Sequence, residues 1–172
     1  MASTDTLFAL TPLGSTPTAS NPATLDFIQD ASTPGTQTPV LDYDPTTQEH
    51  ADWRVTVPSQ YAGGGFTISW KGGTSNTSTG TLELEVRCIT VADATILTSD
   101  LGIDGATAAP ITDTPPATPQ NRLNYSTTAT LSHANVGSPS VGDELIIRAS
   151  RDVATDTNTG DLRLAKILIL ET

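Results

Sequence analysis

One cysteine, two histidines, eight aromatic side chains and eight basic residues are all that 172 positions contain. Each shortage excludes something. A single Cys88 cannot form an internal disulfide, and its place on the apolar parity of a strand-like run reads as a buried, inert thiol. His50 and His133 stand apart, with no serine or cysteine context that would make a nucleophile, and read as solvated surface histidines. No His-Glu-x-x-His, no Cys-x-x-Cys and no phosphate-binding glycine loop occurs. Gly63, Gly64 and Gly65 precede a strand pattern, so no helix N-terminus is there to hold phosphate. No cofactor or metal is expected. Good helix formers are scarce and no long stretch spaces its apolar residues by three and four, which argues against helices. No apolar run approaches the length of a membrane span. Met1 to Asp5 has neither a basic nor an apolar region, so no secretory signal is expected. The net charge of −11, from 19 acidic and 8 basic residues, repels phosphate backbones and anionic membranes, which leaves neither nucleic acid nor a membrane as a partner.

What is abundant is Thr, with Val, Gly and Pro: strand formers and turn formers. The chain is organised around residues 53–91. Phe66-Thr67-Ile68-Ser69-Trp70-Lys71 alternates apolar and polar, as does Leu82-Glu83-Leu84-Glu85-Val86-Arg87-Cys88, the period of a half-buried antiparallel strand. The polar stretch 72–80 between them reads as the tip of a β-hairpin. Trp53, Phe66, Ile68, Trp70, Leu82, Leu84, Val86 and, further on, Ile147 form the expected core.

Trp53 to Val57 is a strand stopped by Pro58. Ala94 to Leu97 reads as a short edge strand, and residues 98–121 as a long connection of the kind that often carries function. Leu123, Tyr125, Thr127, Ala129 and Leu131 share one face of a long strand. Glu144 to Arg151 and Leu162 to Leu170 are the last two. In the second of these, Ile167-Leu168-Ile169-Leu170 is apolar on both faces and is expected to be covered on both sides. The spacing gives about eight strands. The predicted fold is all-β: an antiparallel, jelly-roll-like sandwich over residues 50–172.

Residues 1–49 read differently. Prolines at 12, 17, 22, 34, 39 and 45 forbid continuous helix and central strand. Too little apolar surface is present for independent folding. The segment is predicted to be an extended N-terminal arm. Its apolar islands, Leu7, Phe8 and Leu10, then Leu25, Phe27 and Ile28, then Val40, Leu41 and Tyr43, either anchor in a neighbour or pack on their own domain. With Leu168 and Leu170 they are the candidate partner contacts. On this reading, removal of residues 1–48 leaves the sandwich folded.

Candidate chemistry is sparse. Asp42 with Asp44, Glu83 with Glu85, and Asp156 with Asp161 are the paired carboxylates, but an acid–base pair needs a cleft and one raised pKa. Asp156-Thr157-Asn158-Thr159-Gly160 resembles the opening of a calcium loop, yet position twelve is Ile167 rather than Glu, and an Asx-rich turn explains it better. Asp143 with Arg148, or Arg151 with Asp152, are the expected surface ion pairs.

Trp53, Val57-Pro58, Tyr61, Gly63 to Gly65, Trp70, Gly142-Asp143, Arg148 and Arg151-Asp152 together resemble small β-sandwich proteins of tailed-bacteriophage virions, over roughly residues 50–172. That resemblance implies a non-enzymatic capsid decoration or cement protein on the outer capsid surface. It would be made in the host cytoplasm, with the major capsid protein as partner and a homotrimer as its own assembly. The alternative is a host-receptor or carbohydrate-binding module of a phage fibre or tail, with its site in loops 72–80 and 98–121. A sandwich-fold hydrolase is a third reading, weakened by the missing acid pair.

Overall fold

The computed structural model describes residues 6–91, 101–116 and 120–172. Among them are twelve strands: β1 (Thr6–Leu10), β2 (Thr16–Pro17), β3 (Thr24–Gln29), β4 (Gln37–Tyr43), β5 (His50–Thr56), β6 (Phe66–Thr74), β7 (Leu82–Val91), β8 (Ala108–Asp113), β9 (Asn124–Tyr125), β10 (Ala129–Leu131), β11 (Glu144–Arg151) and β12 (Leu162–Glu171). They form two antiparallel sheets. A seven-stranded sheet runs β10-β6-β12-β4-β3, with β1 also on β12 and β9 also on β6; a five-stranded sheet runs β2-β5-β11-β7-β8. The all-β, two-sheet expectation is what the chain adopts, with more strands than the eight counted from spacing.

Alternation puts the core between the sheets. Phe66, Ile68, Trp70, Ile167 and Ile169 from the larger sheet join Trp53, Leu82, Leu84, Val86, Leu145 and Ile147 from the smaller in one buried cluster. Trp70 ties the layers together, because its indole N–H donates to the carbonyl of Ile111 on β8 at 3.2 Å. A buried indole needs such a partner.

The expected hairpin does not form. β6 pairs with β12, β9 and β10, whereas β7 pairs with β11 and β8. The two strands lie in opposite sheets and present their apolar faces to each other through the core. Period two fixes which residues face inward, not which strand is the neighbour. Nor does β6 stop at Lys71. It continues through Gly72 and Gly73 to Thr74, where a Cβ on Gly73 would collide with the carbonyl oxygen of Arg122. Glycine is required there because another backbone crosses it. The long strand expected over 123–132 is two short ones, β9 and β10, and Ala94 to Leu97 lies outside the described residues.

Residues 6–49 do not form an extended arm. β1 and β4 both pair with β12, β3 extends the larger sheet and β2 edges the smaller. Leu7, Phe8, Leu10, Val40, Leu41 and Tyr43 are buried in their own chain. The prolines are accommodated at the margins, Pro17 ending edge strand β2 and Pro39 lying opposite Phe27 of edge strand β3. The segment lacks enough apolar surface to fold alone, but β12 supplies the other half of its contacts.

The final strand is central in the larger sheet. Ile167 and Ile169 are buried, while Leu168 and Leu170 are half-buried on the outer face, with the N-terminal segment beside β12 rather than over it.

Candidate functional site

Most polar residues singled out in the sequence turn out to hold the fold. Arg151 is fully buried, and its guanidinium forks onto Asp156, with Nε to Oδ2 at 2.9 Å and Nη2 to Oδ1 at 3.0 Å. It also donates to the carbonyls of Tyr43, Asn158 and Gly160 at 2.7–2.9 Å. The calcium-like loop is therefore wrapped around an internal cation from the protein itself, and both Asp156 oxygens are taken. Arg151 pairs with Asp156 rather than Asp152, and Arg148 with Asp52 and Asp104 rather than Asp143. Asn158 reaches from this loop to the carbonyls of Ser78 and Gly80 at 3.1 and 2.9 Å. Loop 72–80 is thereby clamped to loop 152–161.

Glu85 is tied to Arg87 at 2.8 Å, and Asp44 caps a turn onto the amides of Thr46 and Thr47. Cys88 is buried, which pushes its thiol up to about 12, the opposite of an activated nucleophile. Neither histidine is simply solvated. His50 Nδ1 lies 2.7 Å from Ser150 Oγ, with burial lowering its pKa. His133 stacks on Tyr61, and its Nδ1 lies 2.8 Å from the Tyr61 hydroxyl oxygen.

The outer face of the larger sheet is different. Tyr125 on β9 is opposite Lys71 on β6, and Lys71 is opposite Lys166 on β12. The ring of Tyr125 is 56% exposed. Both ammonium groups converge on it, at 5.2 Å for Lys71 and 5.7 Å for Lys166 from the ring centre. Alternation explains the placement: Trp70 and Ile167 point into the core, so their neighbours point out. One row further along, Arg163 faces Gly73 and Asp42. It lies 3.3 Å from Asp42 and 3.7 Å from Asp26, and donates to Asn121.

Beyond Arg163 the charge reverses. Asp26, Asp42, Asp44, Glu49 and Asp161 line a recess of about 300 Å³. Burial, opposed by Arg163 and reinforced by Asp26, pushes Asp42 up to about 6. The sign follows. A carboxyl that binds its proton more tightly folded than unfolded favours the folded state below its ordinary value near 3.8, and that contribution is lost as pH rises through about 6. Asp42→Asn should therefore stabilise the protein by about 1–2 kcal/mol at neutral pH, after allowance for partial exposure. It should also flatten the variation of stability between pH 4 and 6, as read from urea melts of both proteins.

No protein-family model and no curated protein matches the sequence. Solved structures do match in fold. A family 35 carbohydrate-binding module from Clostridium thermocellum is 13% identical with a TM-score of 0.53, covering 96% of this chain and 98% of that one. The CBM22-1 xylan-binding domain of Paenibacillus barcinonensis Xyn10C is 13% identical with a TM-score of 0.50, covering 99% and 97%. The CBM22-1–GH10 modules of the C. thermocellum xylanase Xyn10B, complexed with xylohexaose, are 12% identical with a TM-score of 0.52. This chain is covered to 98%, but spans 29% of that one. At such identities the likeness establishes the β-sandwich fold. The structures are carbohydrate-binding modules or contain them, not the virion proteins that the sequence resemblance implied.

Of the candidate contacts, Leu7, Phe8, Leu10, Leu41 and Tyr43 are internal; Ile28, Leu168 and Leu170 are half-buried; Leu25 and Phe27 are exposed. The sequence alone does not mark Tyr125, Lys71 and Lys166 as a site. Tyr125 reads in sequence as one of an apolar strand face. The available signal is that the chain's two lysines both take the outward parity beside core residues.

Proposed function

We propose that this chain is a non-catalytic carbohydrate-binding module, with the outer face around Tyr125 as its glycan contact. The observation that carries the reading is the exposed Tyr125 ring on a sheet face, flanked by donors on side chains fixed in adjacent strands. A flat aromatic surface with convergent polar groups suits a pyranose ring, whose one face is C–H and whose rim is hydroxyl. The same sandwich in the modules named above supports it. Of the paired carboxylates, Asp44 caps a turn, and Asp42, Glu85 and Asp156 pair with Arg163, Arg87 and Arg151, which favours binding over turnover.

A glycan array with the whole chain tests this. Wild type should bind at least one polysaccharide class. Tyr125→Ala should bind it roughly tenfold more weakly, the loss of about 1–2 kcal/mol of ring contact, with an unchanged melting temperature because the ring is outside the core. No binding to any glycan, or equal binding by the variant, removes the reading.

A second reading retains a virion role, with the major capsid protein as partner and trimeric self-assembly. Exposed Leu13, Leu25 and Phe27 along one margin favour it, since clustered apolar side chains suit a protein contact. Hundreds of copies per virion, with no adsorption to host cells, would support it over glycan binding.

A further inference from the structure

Resting on the carbohydrate reading, we infer that the glycan bound at Tyr125 is anionic, and that Lys71 and Lys166 recognise its negative group. One arrangement on this face costs stability. Lys71 and Lys166 are directly opposed on neighbouring antiparallel strands, a register in which like charges repel. The protein has 19 acidic residues with which either lysine could have been paired. Among the described residues neither ammonium has a carboxylate partner: every ion pair in the structure uses an arginine. The Tyr125 ring offsets part of that repulsion through cation–π contact with both ammonium groups, but no opposite charge does, and a local rule broken in this way points to function.

The surroundings add to the same charge. Arg122, whose backbone crosses over Gly73 on this face, is exposed and enters no ion pair among the described residues. Arg163 is neutralised by Asp42 and Asp26 and separates the basic patch from the acidic recess. Two cations with no carboxylate partner among the described residues thus converge on one exposed aromatic ring, in a chain whose net charge is −11. Tyr125 offers apolar surface for a sugar, and the ammonium groups of Lys71 and Lys166, which lie over its ring, offer charge-assisted hydrogen bonds. Ser69, next along β6 on the same face, offers a hydroxyl. The ligand chemistry this fits is a pyranose carrying a carboxylate or a sulfate ester. The overall negative charge would slow approach of any polyanion, so recognition rests on the local patch and should weaken with salt.

The test uses the full chain with three probes: polygalacturonate for carboxylates, a sulfated galactan for sulfates, and xylan as a neutral control. Affinity electrophoresis and calorimetry are run at about 50 and 300 mM salt. The expected result is tighter binding to one charged polymer than to xylan, weakened by salt; the preferred polymer assigns the carboxylate or the sulfate. Lys71→Gln with Lys166→Gln should weaken that binding about tenfold or more and remove its salt dependence. Lys166→Glu, which turns the repulsive pair into an attractive one, should abolish charged-polymer binding with an unchanged or higher melting temperature. A merely structural role for the lysines would instead lower it. Equal binding to charged and neutral polymers, or full binding by the double Gln variant, overturns the inference. If xylan is still bound and Tyr125→Ala loses it, the carbohydrate reading stands without it. Binding to none of the three overturns the inference, while the glycan array decides the carbohydrate reading separately.

Discussion

Arg151→Met should lower stability by about 3–5 kcal/mol, a large part of what a domain of this size possesses. The substitution keeps the stem's volume, so the loss isolates the guanidinium. Asp156, 1% exposed at its side chain, would be left as a buried charge with no cationic partner, held only by the amides of Glu83 and Asn158. The carbonyls of Tyr43, Asn158 and Gly160 would lose the donors that satisfy them, each costing about 1–3 kcal/mol when buried and unpaired. Arg151→Lys should recover only part, because an ammonium cannot fork onto a carboxylate and also reach three carbonyls. Adding Asp156→Leu to Arg151→Met should restore only part of the fraction due to the uncompensated carboxylate, since it also unpairs the amides of Glu83 and Asn158, and none of that due to the carbonyls. Urea denaturation of the four proteins measures this. A single Met variant within about 1 kcal/mol of wild type would show that the loop holds itself without the arginine.

Deleting residues 1–48 should prevent folding altogether. This reverses the expectation that follows from reading the segment as an arm. Its removal strips β12 of both β1 and β4 along one edge. It also uncovers the core that Leu7, Phe8, Leu10, Leu41 and Tyr43 close. Burying each such side chain contributes roughly 1.5–3 kcal/mol, so the sum matches the whole net stability of roughly 5–15 kcal/mol. Circular dichroism and urea melts of the truncated chain check the outcome. A cooperative transition near that of the full chain would mean that residues 50–172 are self-sufficient.

The residues that suggested a virion sandwich prove to be structural. Val57 exchanges backbone hydrogen bonds with Gly142 and Asp143, at 3.0 and 2.9 Å. The Tyr61 hydroxyl donates to the Gly64 carbonyl at 2.6 Å, while buried Glu171 accepts from the amides of Ala62 and Gly64. Asp152 caps its own turn through the Ala154 amide. Such a pattern describes how a sandwich closes its ends. It carries a fold rather than a function.

By itself the sequence determined the class of the fold and the inward face of its main strands. Trp53, Phe66, Ile68, Trp70, Leu82, Leu84, Val86 and Ile147 are buried because period two leaves them no alternative. What it could not determine was pairing, since two strands with matching apolar faces can sit side by side or across a core. β6 and β7 took the second course, and the proline-rich start became strands because β12 offered an edge. The candidate site depended on that pairing entirely. Lys71, Tyr125 and Lys166 are separated by 54 and 41 positions in the chain. Only the alignment of β9, β6 and β12 in one sheet brings their side chains onto a common face.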